Sequence, residues 1–107
     1  MNHIALIGRL TRDPELRYTP NGVAVANFDL AVDRPTKDAN GERETDFIKI
    51  ICWQKQAELV SEHLKKGRLV GVEGRLQINN YEKDGQKHKS PEVVANYVQF
   101  LDKAKES

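Results

Sequence analysis

The sequence predicts an all-β fold, a five-stranded Greek-key barrel with one short helix between the third and fourth strands. Three observations carry that expectation. Apolar and polar residues alternate over several stretches of strand length, the period of a half-buried strand. Only one segment, Gln54 to Lys66, shifts to the three-and-four spacing of a helix. Glycines interrupt the strand patterns at Gly8, Gly71 and Gly74, where a tightly coiled barrel strand bends. At 107 residues the chain holds one core. Residues 1–102 are therefore expected to form one barrel domain, and 103–107 a short disordered C-terminal extension.

The elements follow in order. Ile4 to Leu10 is short, rich in branched residues, and ends before the turn pair Asp13-Pro14. After Pro20-Asn21-Gly22, a strand from Val23 to Val32 places Ala24, Ala26, Phe28, Leu30 and Val32 on one face, with Asn27 and Asp29 on the other. Asp33 to Glu44 has one apolar residue, Ala39, and contains Pro35 and Asn40-Gly41, so a long polar hairpin loop is expected. Thr45 to Trp53 is the third strand. In the helix, Ala57, Val60 and Leu64 share a face and Gly67 marks the stop. Leu69 to Tyr81 alternates again, with Val70, Val72, Gly74, Leu76 and Ile78 on one side and Glu73, Arg75, Gln77, Asn79 and Tyr81 on the other. Asp84-Gly85 turns the chain into a last strand, Glu92 to Leu101, which is too apolar on both phases to orient.

Composition narrows the function classes. With 38% hydrophobic and 31% charged residues the chain reads as a soluble globular protein. No apolar run approaches the ~20 residues of a membrane span, and residues 1 to 30 lack a signal-peptide pattern. A cytoplasmic location, with no membrane partner, is expected. The single Cys52 falls on an inward strand phase and reads as a core residue. His3, His63 and His88 are scattered without metal-ligand spacing, and no glycine-rich turn cradles a phosphate, so neither an enzyme nor a cofactor is expected. The net charge of +1 does not announce a polyanionic partner, so the distribution of charge matters more than the total.

The third strand carries the functional signal. Ile48, Ile50 and Cys52 supply an apolar row for the core, yet the opposite row, Phe47, Lys49, Ile51 and Trp53, presents two large aromatics and a cation. A small domain has one core, so that second row is free to meet a ligand. Flat π surface beside positive charge suits unpaired nucleobases and their phosphates. Tyr81 occupies the equivalent outward row of the fourth strand.

Five strands with a helix between the third and fourth is the element order of the oligonucleotide/oligosaccharide-binding (OB) fold. The residues also carry a resemblance. Asp13-Pro14-Glu15-Leu16-Arg17-Tyr18, then Pro20-Asn21-Gly22-Val23-Ala24-Val25-Ala26, then Lys66-Gly67 leading into Val72-Glu73-Gly74-Arg75-Leu76, resembles the bacterial single-stranded DNA-binding protein family. The match runs in order from about Ile4 to Phe100. It implies a homotetramer, a dimer of dimers paired partly through Ile4 to Leu10, that wraps single-stranded DNA without sequence preference in replication, recombination and repair. The family's base-stacking aromatics fall on Phe47, Trp53 and Tyr81, whereas a fourth stacking position of some members falls on Thr36, which has no ring. Members commonly continue into a glycine-rich linker and an acidic tail that recruits other proteins. This chain stops at Lys103-Ala104-Lys105-Glu106-Ser107, which fits either the folded part of a longer protein or a short family member, and tail-mediated recruitment of replication and repair proteins is not supported by it.

Phosphate pairing is expected of Lys49, Lys55 and Arg75, and of Arg34, Lys37 and Lys87 near two hairpin tips. Each has a plainer alternative. Lys49 could be a charge that discourages strand-edge aggregation, and Arg75 could pair with Glu73 or Asp29. The rival function is an assembly module whose aromatic row is buried against a protein partner.

Overall fold

A ring of five strands closes on itself in the computed structural model, which describes residues 1–102. The elements are β1 (Ile4–Leu10), β2 (Glu15–Tyr18), β3 (Ala24–Lys37), β4 (Arg43–Trp53), α1 (Gln54–His63), β5 (Leu69–Lys83) and β6 (Gln86–Phe100). Around the ring β1 pairs with β5, β5 with β6, β6 with β4, β4 with β3, and β3 again with β1. The last seam is short, joining Arg9 to Ala31 and Leu10 to Leu30. The β4–β6 seam is parallel and joins Ile50 to Val93 and Ile51 to Val94. This is the expected five-stranded OB barrel, with α1 between its third and fourth strands.

Alternation fills the interior as expected. Ala24, Ala26, Phe28 and Leu30 of β3, Ile50 and Cys52 of β4, and Val70 and Val72 of β5 are all buried. Ala57 and Val60 of α1, with Leu64 just beyond it, join the same core, so the helix plugs one end of the barrel. Each fully buried aliphatic or phenyl side chain stabilises the fold by about 1.5–3 kcal/mol. Burial also pushes the Cys52 thiol up to about 12.

Two strand glycines permit the closure. A Cβ on Gly8 would strike the carbonyl of Ala31 across the β1–β3 seam, and one on Gly74 would strike the carbonyl of Val94. Gly71 differs, because a Cβ there meets only ordinary contacts, the nearest 3.6 Å away at Leu101. At the C-terminal end, the Arg68 guanidinium donates to Asp102 at 2.8 Å and the Leu69 amide donates at 3.2 Å. Those donors, the guanidinium first, hold the Asp102 carboxyl below its ordinary range. Residues 103–107, expected as a short extension, lie outside the described residues.

Several expectations need correction. A short strand, β2, lies along β3 from Glu15–Asn27 to Tyr18–Ala24 in a stretch read as connection. The polar loop expected over Asp33 to Glu44 is shorter than expected: β3 and β4 stay extended to Lys37 and Arg43, with an irregular register between Asp33 and Lys37 around Pro35. Asp38 closes that turn, its carboxylate accepting from the amides of Asn40 and Glu42 at 2.9 Å each. The helix ends at His63, not Lys66, because Leu64 turns extended into the core. Gly67, at φ 89°, shapes the following loop. Leu76 and Ile78 are exposed, since a register shift between Glu73 and Gly74 precedes a stretch of β5 that outruns the barrel.

That stretch forms a long two-stranded arm with β6, turned at Asp84-Gly85 where both φ angles are positive, as the tight two-residue hairpin requires. Its protrusion shows in the radius of gyration, 15.3 Å against about 13 Å for a compact chain of this length.

Candidate nucleic-acid interface

Strand β4 presents the expected row. Phe47 is 69% exposed and Trp53 43%, while Ile50 and Cys52 on the opposite phase are fully buried. Phe47 lies across from Ala31 of β3, a residue too small to cover its ring. Trp53 is the last residue of β4, and the positive φ of Gln54, 57°, breaks the strand immediately after it. The indole is thereby left at a barrel corner and outside the core. Tyr81, 49% exposed, stands on the β5–β6 arm.

The ring of Tyr81 stacks on His88, its cross-strand partner, with centroids 5.3 Å apart and planes 21° from parallel. The two residues line a hollow of about 510 Å³ together with Lys87 and Lys89. One tyrosine face is thus backed by an imidazole, a contribution the sequence reasoning missed. The signal was present in the hairpin register, since Asp84-Gly85 sets residues 81 and 88 opposite each other.

The cations divide into two groups. Lys55, in the first turn of α1 beside Trp53, and Lys37 and Lys87, at the two arms, have no carboxylate within 4 Å among the described residues. Arg75 donates to the side-chain carbonyl of Gln77 at 2.9 Å, so it pairs with neither Glu73 nor Asp29. By contrast, Arg34 is held by two carboxylates, donating to Asp46 at 3.0 Å and to Glu44 at 2.6 Å. The hydrogen bond from Arg34 holds the Asp46 carboxyl below its ordinary range, and the same bond raises the guanidinium. Lys49 faces Glu92 at 3.8 Å.

Charge therefore differs between the arms. The β3–β4 arm carries Asp33, Asp38, Glu42, Glu44 and Asp46 against Arg34, Lys37 and Arg43. Around the β5–β6 tip, Lys83, Lys87 and Lys89 with His88 outnumber Glu82 and Asp84. Thr36, on which the resemblance placed a fourth stacking position, is exposed on the acidic arm.

A closed small barrel with an outward aromatic row across its sheet defines the class: a protein of the OB fold. Its family follows from comparison with known proteins. The model of the single-strand binding protein family matches residues 1–101, and the chain belongs to that family. The chain is 58% identical over 103 residues to the single-stranded DNA-binding protein of Halalkalibacterium halodurans, covering 95% of this chain and 61% of that protein. It is 59% identical over the same length to the single-stranded DNA-binding protein of Bacillus cereus, with 95% and 61% covered. With single-stranded DNA-binding protein A of Bacillus subtilis the identity is 57% over 103 residues, with 95% and 60% covered. The chain thus spans about six-tenths of the length of these relatives.

Proposed function

We propose that this chain binds single-stranded DNA without sequence preference, by stacking bases on Phe47, Trp53 and Tyr81 and pairing phosphates with nearby cations. The carrying observation is that, of the six exposed aromatic side chains, Phe47 and Trp53 lie in one outward row of β4 and Tyr81 in the outward row of β5, and the core is complete without them. Stacking on a side-chain ring contributes about 1–3 kcal/mol per base and tolerates every base, because each has a π face. A duplex hides those faces in its own stack, which makes the preference for single strands geometric. Lys37, Lys55, Arg75 and Lys87 supply phosphate contacts and release condensed counterions. Arg34 and Lys49 meet protein carboxylates first.

Assembly has its own surface. β1 pairs with β3 only at Arg9 and Leu10, so its Ile4-to-Gly8 edge opposite β5 is unpaired among the described residues. Exposed Ile7, Tyr97 and Leu101 line one hollow on the outer face of the adjoining β1–β5–β6 sheet. An unpaired apolar edge invites a second copy, which supports the dimer step of the proposed dimer-of-dimers tetramer. This surface shares no residue with Phe47, Trp53 and Tyr81, so pairing through it would leave the three rings free. Among the described residues no helix is long and apolar enough to cross a membrane. The role that fits is non-catalytic: coating and protecting single strands in replication, recombination and repair, in a cytoplasmic, nucleoid-associated setting.

Competition tests the function. A labelled single-stranded oligonucleotide bound to the protein should be displaced by unlabelled single strands of any composition and hardly at all by a blunt duplex. Equal displacement by the duplex would refute it. Light scattering of the free protein should give four times the chain mass, and a monomer would remove the tetramer from the proposal.

A further inference from the structure

Glu92 is 5% exposed, yet it lies on the outer side of the barrel wall. It occupies β6 between β4 and β5, opposite Gln77 and next to Val93, which pairs with Ile50. A carboxylate withdrawn from water needs partners, and neighbouring strands supply them. Asn79 Nδ2 donates to Oε1 at 2.6 Å and Gln77 Nε2 donates to the same oxygen at 3.4 Å. Lys49 Nζ stands 3.8 Å from Oε2. An acid therefore sits in the middle of the face where β4 offers Phe47 and Trp53 and β5 offers Tyr81.

Two consequences follow from that placement. A phosphate brought over the centre of the face would meet a carboxylate held in low dielectric, where like-charge repulsion is strongest. Lys49, whose side chain is 48% exposed, already has its counter-ion within the protein. A lysine so paired offers a phosphate little net charge, so it displaces none of the cations condensed on the strand and adds nothing to the counterions released on binding.

We propose that Glu92 is a positioning residue of the DNA-binding face: it takes Lys49 as an internal counter-ion and keeps phosphates off the centre, leaving that centre to bases. The backbone of the strand then runs along the flanks, where Lys55 and Lys87 carry unpaired charge. This rests on the proposed single-strand binding.

The test is the slope of log affinity against log salt for an oligothymidylate short enough to occupy one barrel. On single strands each phosphate contact contributes about 0.7 to the magnitude of that slope. Glu92→Gln keeps the shape and the acceptor for Asn79 but frees Lys49, so the slope should steepen by about 0.7. In the double variant Glu92→Gln with Lys49→Gln it should return to the wild-type value. Lys49→Gln alone removes one of the three partners of Glu92, so its folding is checked first by urea unfolding; the folded variant should not change the slope, and this arm decides the matter if Glu92→Gln fails to fold. A slope flattened by about 0.7 in Lys49→Gln shows a lysine already on a phosphate and overturns the inference. So does an unchanged slope in folded Glu92→Gln, or a double variant that stays steep. Wild-type protein with no affinity for the oligonucleotide overturns the binding function itself, a different result from wild-type binding with the wrong slopes.

Discussion

Phe47 and Phe28 stand on adjacent strands of one barrel and should fail in opposite ways when cut to alanine. Phe28 is fully buried in the core, and its removal leaves a cavity, so Phe28→Ala should cost about 3–5 kcal/mol of folding stability. Against a total of roughly 5–15 kcal/mol for a small domain, that is a large share. Phe47 is 69% exposed, with Ala31 as its cross-strand partner on β3. Phe47→Ala should therefore change stability by less than about 1 kcal/mol, within the range of strand propensity. Its loss falls on binding instead: one stacking platform at about 1–3 kcal/mol corresponds to about a 5- to 150-fold weaker affinity per site. Urea unfolding and anisotropy of a labelled oligothymidylate, run on the same two variants, separate the effects. If Phe47→Ala melts like Phe28→Ala, or binds as wild type does, the division into a core face and a binding face is wrong.

Other outcomes follow from the packing. Gly74→Ala should destabilise the barrel by about 1–3 kcal/mol, the usual cost of overpacking, because the new methyl meets the Val94 carbonyl; an unchanged urea midpoint would contradict the close approach. The Cys52 thiol, pushed up to about 12 by burial, should resist a thiol reagent at pH 8 in the folded protein and react at once in denaturant. Rapid native labelling would show that the residue is not in the core. For Asp102, the folded carboxyl lies below its ordinary value near 4, so its contribution is complete above that value and is lost as pH falls through the depressed one. The melting temperatures of wild type and Asp102→Asn should differ at pH 7 and converge toward pH 2; a gap independent of pH would mean the ion pair with Arg68 contributes nothing.

The alternating strands were legible because burial imposes a period of two on them. Phe28, Ile50 and Val72 point inward as that period requires, and Phe47, Trp53 and Tyr81 outward. What the sequence hid lacks such a period. Glu15-Leu16-Arg17-Tyr18 becomes β2 by borrowing the edge of β3, a pairing no local pattern records. The β3–β4 arm is polar on both faces, so Asp33 to Lys37 resembles a loop even though it is paired in part with β4. Leu76 and Ile78 keep the alternation of β5 past the point where the barrel has ended, so the period holds while the burial does not. Glu92 gave no signal at all, because its surroundings come from β4 and β5, segments tens of residues or a full hairpin away.

Trp53 is the sole tryptophan in the sequence, which makes its emission a direct report on the proposed stack. Oligothymidylate titrated into the intact protein should quench that emission to saturation, and the midpoint should move to higher oligonucleotide concentration as salt is raised. An indole whose emission stays constant while the oligonucleotide binds would contradict the account, because the strand would then lie somewhere other than on the aromatic row.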